Sequence, residues 1–146
     1  IVGIIIGDGE DKGELEEVVK EKNLDNDILF LGFRKNVPSI IRQLDFVVLA
    51  SRWEGLPLVP IEVFSQGKTI IASNISGNNE IVVDEYNGLL FEVDNVTQLA
   101  NHIETLAQDR NLLRKYEENA LETYKGKYRY EYFISSYQSL YERVEP

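Results

Sequence analysis

Cysteine is absent from this 146-residue chain and histidine occurs once. The first absence excludes disulfides and thiolate metal sites, and the second excludes a multi-histidine zinc site. Both are consistent with a cytoplasmic protein, and no metal is expected. No apolar run approaches the length of a membrane span, and Ile1 to Gly9 lack the charged start and cleavage site of a signal peptide. Basic residues are scarce, 15 against 25 acidic ones, so the surface field repels phosphate polymers and nucleic acid is not expected as a partner. What is plentiful is apolar: 43% hydrophobic content lets residues 1–146 bury the core of one domain. Ile1-Val2-Gly3-Ile4-Ile5-Ile6 reads as a buried strand from the first residue, so the chain is expected to be a piece of a longer protein.

Short apolar runs, often β-branched, recur at Val2–Ile6, Ile28–Phe33, Phe46–Ala50, Thr69–Ser73 and Leu89–Phe91. Each is apolar on successive residues, which predicts strands buried on both faces. Between them lie helical spacings: Leu15, Val18 and Val19; Val37, Ile40, Ile41 and Leu44; Val59 to Phe64. Alternating strand and helix predicts an α/β fold, a Rossmann-like parallel sheet with helices on both faces. The tail differs, because Val96, Leu99, Ala100, Ile103, Leu106 and Ala107 follow helical spacing, as do Leu112–Tyr124 and Tyr130–Val144. In an open parallel sheet ligands bind beyond the carboxyl ends of the strands, which singles out the loops after Ile6, Phe33, Ala50 and Ser73.

One of these loops carries most of the chemistry. After Phe46–Ala50 comes Ser51-Arg52-Trp53-Glu54-Gly55-Leu56-Pro57-Leu58-Val59-Pro60-Ile61-Glu62, entering a helix near Leu58. A helix start has free N–H groups and a positive dipole end, so it can hold an anion such as diphosphate. Proline is tolerated in a first turn, where its missing N–H has no intrahelical partner, and Leu58, Val59 and Ile61 remain as N–H donors. Gly55 lets a ligand approach the backbone closely. Glu54 lies in the loop and Glu62 one turn into the helix. Carboxylates on either side of an anion site suit hydroxyls on either side of a diphosphate, which describes a nucleotide sugar.

Glu54 and Glu62, with Gly67-Lys68-Thr69-Ile70-Ile71-Ala72-Ser73 behind them, resemble the Glu-x7-Glu signature of retaining glycosyltransferases of family four. The similarity extends through Gly7-Asp8-Gly9, Phe30-Leu31-Gly32-Phe33, Glu54-Gly55-Leu56-Pro57, Gly77 with Glu80, and Asn87-Gly88-Leu89-Leu90. It implies the C-terminal, donor-binding half of a GT-B fold. Carried over by position, Glu54 is the catalytic-site residue that bonds a sugar hydroxyl, and the amides of Gly55 to Val59, Leu56 and Leu58 among them, hold the diphosphate. Glu62 accepts from the ribose, and Phe33 with Arg34 lie beside the nucleobase. Many relatives have glycine where this chain has Pro57, so one amide contact is lost. The resemblance also places an arginine and a lysine just before Ile1 and an N-terminal acceptor domain before those, so this fragment alone is expected to be inactive. It implies a nucleotide sugar as substrate, no cofactor, and a role in bacterial polysaccharide or glycolipid assembly. Peripheral association with the inner face of the membrane would suit the full-length enzyme.

Blander features surround this segment. Gly7-Asp8-Gly9 with Gly13 has the wrong spacing for a dinucleotide fingerprint and reads as a tight strand-to-helix turn. Asp25-Asn26-Asp27 precedes a strand and reads as a solvated turn, not a metal motif. His102 sits in a helical pattern as a packing or surface residue. Trp53 suits stacking on a base or sugar and packing of the loop equally well. Lys125, Lys127 and Arg129 among Tyr124, Tyr128, Tyr130 and Tyr132 read as a polar helix junction. The rival functions are a GT-B-shaped nucleotide-sugar epimerase, short of acid–base residues here, and a non-catalytic nucleotide or sugar-phosphate module.

Overall fold

A computed structural model of the chain describes residues 1–144. Strands and helices alternate, giving parallel sheets flanked by helices and a helical C-terminal tail. The strands belong to two hydrogen-bonded sheets, where the apolar pattern suggests one. Two compact units carry them, Ile1–Val37 and the residues from Pro38 onward.

The first unit holds β1 (Gly3–Ile6), α1 (Lys12–Glu21) and β2 (Ile28–Gly32). The two strands pair in parallel with Gly3 opposite Ile28 and an irregularity between Ile5 and Ile6. The expected burial on both faces fails here, for Ile5 and Leu29 stay 39% and 44% exposed. A two-stranded sheet accompanied by one complete helix has cover for one face only.

The second unit begins inside α2 (Val37–Ile41) and continues through β3 (Phe46–Leu49), α3 (Leu58–Ser65), β4 (Thr69–Ser73), α4 (Asn78–Ile81), β5 (Gly88–Phe91), α5 (Val96–Gln108) and α6 (Arg110–Thr123). A π-helical turn, Tyr124–Tyr128, leads to α7 (Tyr130–Val144). The strands run parallel in the order β3-β4-β5, with Val48, Ile71 and Leu89 in one row. Central β4 is buried at every residue, whereas Val48 of edge strand β3 remains exposed. Ile71, Leu89 and Phe91 pack with Leu106, Leu113 and Tyr116 of α5 and α6, and Leu99, Ile103 and Leu112 border the cluster. The spacing that predicts these helices therefore marks their inner faces, apart from Val96 and Ala100, which are exposed. Asn95 and Asp109 cap them, accepting from Gln98 N at 3.0 Å and from Leu112 N at 2.9 Å.

Buried polar groups fix how β5 enters the sheet. Asn87 accepts from Val83 N at 2.8 Å and donates to the Ile81 carbonyl and to Thr123 Oγ1, while Thr69 Oγ1 donates to the Asn87 carbonyl. Next to it, a Cβ on Gly88 would lie 2.5 Å from the Ile70 carbonyl oxygen and 2.9 Å from Val82 Cγ1. Only a residue without a side chain lets the two backbones close here. No helix among the described residues is long and apolar enough to cross a membrane.

Gly88→Ala is expected to destabilise the fold by about 1–3 kcal/mol through overpacking, measured by urea unfolding. Burial raises the Tyr116 phenol above its ordinary value of 10.0, with the carboxylates of Glu85 and then Asp84 adding to the effect. A proton held more tightly by the folded than by the unfolded chain stabilises the fold fully below the unfolded value, and the benefit is lost as pH rises through the folded one. Melting temperature should therefore fall as pH climbs past about 10, and Tyr116→Phe should flatten that fall. Tyr128, raised by burial and then by Glu80, leaves a residual slope.

Candidate functional site

The loop from β3 to α3 brings together most of the residues singled out above. α3 begins at Leu58, and Pro57 is its N-cap, in extended conformation with ψ 113° and buried. Pro57 thus stands just ahead of the first turn, and Pro60 is the third helical residue. Ile61 falls in the fourth position, facing the Pro57 carbonyl, where an intrahelical acceptor is available. The free N–H groups of the helix start are therefore those of Leu58 and Val59 alone. Their side chains, with that of Leu56, are solvent-exposed, so this helix end is open to a ligand.

The two carboxylates sit differently. Glu62 is exposed on α3, one turn in. Glu54 is half-buried, and its Oε1 accepts from Ser51 Oγ at 2.7 Å. Ser51 is held in turn, because its carbonyl accepts from Ser73 Oγ at the end of β4. Asn78 at the start of α4 donates to the Ser73 carbonyl at 3.0 Å and to Ser73 Oγ at 3.2 Å. Ser73 and Asn78 are 1% and 0% exposed, and Asn78 Oδ1 has no hydrogen-bond partner. Sequence reasoning passed over Ser51, Ser73 and Asn78. Their one signal was position, since each is a small polar residue closing an apolar strand or opening the next helix at the carboxyl edge of the sheet.

Gly77 closes the arrangement. Its φ of 93° is a conformation that residues with side chains rarely adopt, and a Cβ there would meet Pro57 Cδ at 2.9 Å. The carbonyl oxygens of Glu54 and Gly55 lie 3.5 Å from the same point. The loop between β4 and α4 therefore braces the loop between β3 and α3 from behind. Arg52 adds an exposed tie to Asp94 beyond β5, at 3.2 Å.

The remaining residues are distributed as follows. Phe33 and Arg34 follow β2 in the first unit, both exposed, with Arg34 Nη1 donating to the Phe33 carbonyl at 3.3 Å. Trp53 is 84% exposed, which removes loop packing as its role and leaves its ring free to stack. His102 is half-buried on α5 with Nε2 3.1 Å from the Leu90 carbonyl, a packing position. Gly7-Asp8-Gly9 lies in the turn from β1 to α1, and Asp25-Asn26-Asp27 in an exposed turn before β2. The Tyr124–Tyr128 stretch is the π-helical junction between α6 and α7. Among the described residues no group of three or more His, Cys, Asp or Glu side chains could hold a metal ion.

The family model described as glycosyl transferases group 1 matches residues 1–123. Over 112 residues the chain is 38% identical to the UDP-Gal:alpha-D-GlcNAc-diphosphoundecaprenol alpha-1,3-galactosyltransferase of Escherichia coli, covering 76% of this chain and 29% of that protein. It is 34% identical over 142 residues to an uncharacterized glycosyltransferase, MJ1178, of Methanocaldococcus jannaschii, covering 96% of this chain and 40% of that one. Among solved structures, the C-terminal domain of a glycosyl transferase group 1 family protein (LpcC) from Francisella tularensis is similar at TM-score 0.81 and 34% identity, with 88% of this chain and 70% of that chain covered. Anabaena Alr3699/HepE in complex with UDP-glucose matches at TM-score 0.86 and 27% identity, over 98% and 40% of the two chains. The chain thus spans well under half the length of these curated relatives.

Gly77→Ala is expected to push the β3–α3 loop away from α4 and to lower stability by about 1–3 kcal/mol, from overpacking and positive-φ strain together. Urea unfolding measures the loss. Faster amide exchange at Gly55 to Val59 reports the displacement, and unchanged exchange there would remove the bracing role.

Proposed function

The chain belongs to the glycosyl transferases of group 1, and from that premise we propose that residues 1–146 are the nucleotide-sugar-binding domain of a retaining glycosyltransferase. The full-length enzyme moves a sugar from a nucleoside diphosphate to an acceptor in polysaccharide or glycolipid synthesis. One observation carries this reading: the open start of α3 stands between the half-buried Glu54 and the exposed Glu62.

The chemistry follows from that layout. A diphosphate at the helix start accepts from Leu58 and Val59 N–H and gains from the dipole. The amides of Gly55 and Leu56 extend the cradle, and Pro57 contributes none. Glu54 accepts from a hydroxyl of the transferred sugar, and Glu62 from the ribose hydroxyls. Because the leaving nucleotide carries growing negative charge, fixed N–H groups that bind it more tightly in the transition state lower the barrier. Phe33 and Arg34 are separately proposed to contact the nucleobase, on the strength of the resemblance and of their exposure after β2.

No metal or other cofactor enters this reading; the nucleotide sugar is the substrate. The acceptor domain, and the arginine and lysine that neutralise the leaving group, belong to the longer enzyme. Peripheral contact with the inner face of the membrane fits the E. coli relative, whose name gives a diphosphoundecaprenol acceptor. The epimerase alternative is weakened by His102, whose ring nitrogen is committed to the Leu90 carbonyl.

Calorimetric titration with UDP, GDP, ADP and their sugar conjugates tests the proposal. Glu62→Ala should weaken binding of the nucleoside diphosphate itself on the order of 10- to 100-fold, the cost of a hydrogen bond to a charged group. Glu54→Ala should weaken binding of the sugar conjugate only. Equal losses on both ligands would overturn the division of roles, and silence from every nucleotide would overturn the reading.

A further inference from the structure

Asn78 Oδ1 is wholly buried and unpartnered, the one such side-chain atom found among the described residues. Native folds seldom leave a buried acceptor empty, so its cause is informative. Turning the amide over does not relieve it. That flip would set Oδ1 against the Ser73 carbonyl, oxygen against oxygen, so the N–H must face Ser73. Asn87, equally buried, shows that this fold can satisfy an amide completely, with partners for both its oxygen and its nitrogen. Asn78 keeps its nitrogen bonds and gives up those of its oxygen.

Those nitrogen bonds lead to the site. Asn78 holds Ser73, Ser73 Oγ donates its single proton to the Ser51 carbonyl, and Ser51 Oγ donates to Glu54 Oε1 at 2.7 Å. No hydrogen bond engages Glu54 Oε2 among the described residues. We propose that Asn78, Ser73 and Ser51 are positioning residues: a buried relay that presets the Glu54 side chain and leaves Oε2 as the oxygen offered to a sugar hydroxyl. A half-buried glutamate tethered at one oxygen has already given up much of its large rotamer freedom, so binding a hydroxyl costs less ordering. The relay reaches Glu54 and not Glu62, which stands exposed on α3. It therefore favours the sugar conjugate over the bare nucleotide. This rests on the reading of Glu54 as the sugar-side carboxylate.

The test compares the wild type, Ser51→Ala, Ser51→Thr and Asn78→Ala by calorimetry, in the complete protein, using UDP, GDP and ADP with their glucose and galactose conjugates. For the base that binds, the readout is the ratio of the dissociation constants of sugar conjugate and bare diphosphate. Ser51→Ala should worsen that ratio on the order of 10-fold, as expected for a lost hydrogen bond to a charged group, with the bare diphosphate unchanged. Ser51→Thr, which retains the hydroxyl, should restore it, and Asn78→Ala should shift it less. A general loosening of the loop would weaken both ligands together and would overturn the relay, as would an unchanged ratio in Ser51→Ala. Crystal structures of the wild type and of Ser51→Ala give a second readout that needs no ligand. Glu54 should leave its wild-type rotamer, and the same rotamer in both would refute the proposal even if Ser51→Ala binds nothing. A wild type that binds no nucleotide at all would sink the sugar-site reading and the proposal with it, whereas a wild type that binds with an insensitive ratio sinks only the relay.

Discussion

β4 admits no water, and the second unit is organised by that condition. A strand buried on both faces contributes apolar area generously but must hand every polar atom to a partner. Its apolar residues, Ile70 to Ala72, pack into the core, and its polar ends, Thr69 and Ser73, are also buried. The two ends resolve the demand in opposite ways. Thr69 bonds back to the Asn87 carbonyl and ties the amino edge of the sheet to the segment entering β5, a purely structural knot. Ser73 bonds outward, to the Ser51 carbonyl, and so makes the loop after β3 an extension of the core. The candidate site is tied to the core at its base because the central strand requires a partner there.

The same contrast explains why residues with similar chemistry have such different surroundings. Glu54 is approached by Ser51 and shielded by its loop, whereas Glu62 and the helix start with Leu58 and Val59 stand open. Two prolines remove two of the N–H groups that a helix start would offer, and in exchange they limit how the loop enters α3. An anion at this helix start would meet few N–H groups. Trp53 and Leu56 are exposed beside this opening, large apolar surfaces next to polar groups, a composition typical of small-ligand sites.

Much of this was legible beforehand. The strand limits follow the apolar runs to within a residue or so because each run ends at a charge, a glycine or a serine. α3 starts at Leu58 because Gly55 and Pro57 interrupt whatever precedes it. The paired glutamates stand where the sequence puts them, one in the loop and one a helical turn in, but their roles came from the family resemblance and not from spacing. What escaped was set by contacts distant in sequence. α4 is four residues long, too short for an apolar period to show, and Ser73 reaches Ser51 across 22 positions. The exposure of Ile5, Leu29 and Val48 escaped as well, because an unbroken apolar run does not reveal which strands lie at an edge or in a small sheet. The division into two sheets was hidden for a related reason: strand pairing is a property of neighbours, not of a strand's own composition.

The close approach of Gly77 to Pro57 extends beyond geometry. It couples two positions, twenty apart along the chain, in the substitutions they can accept. While proline occupies 57, any side chain at 77 collides with its ring. A smaller residue at 57 would remove the collision, though not the cost of the positive φ at 77, and would return an N–H group to the helix start and free the loop to take other shapes. Glycine at 77 is thus required twice over, by its own backbone conformation and by the ring opposite, and only the second requirement depends on what occupies 57.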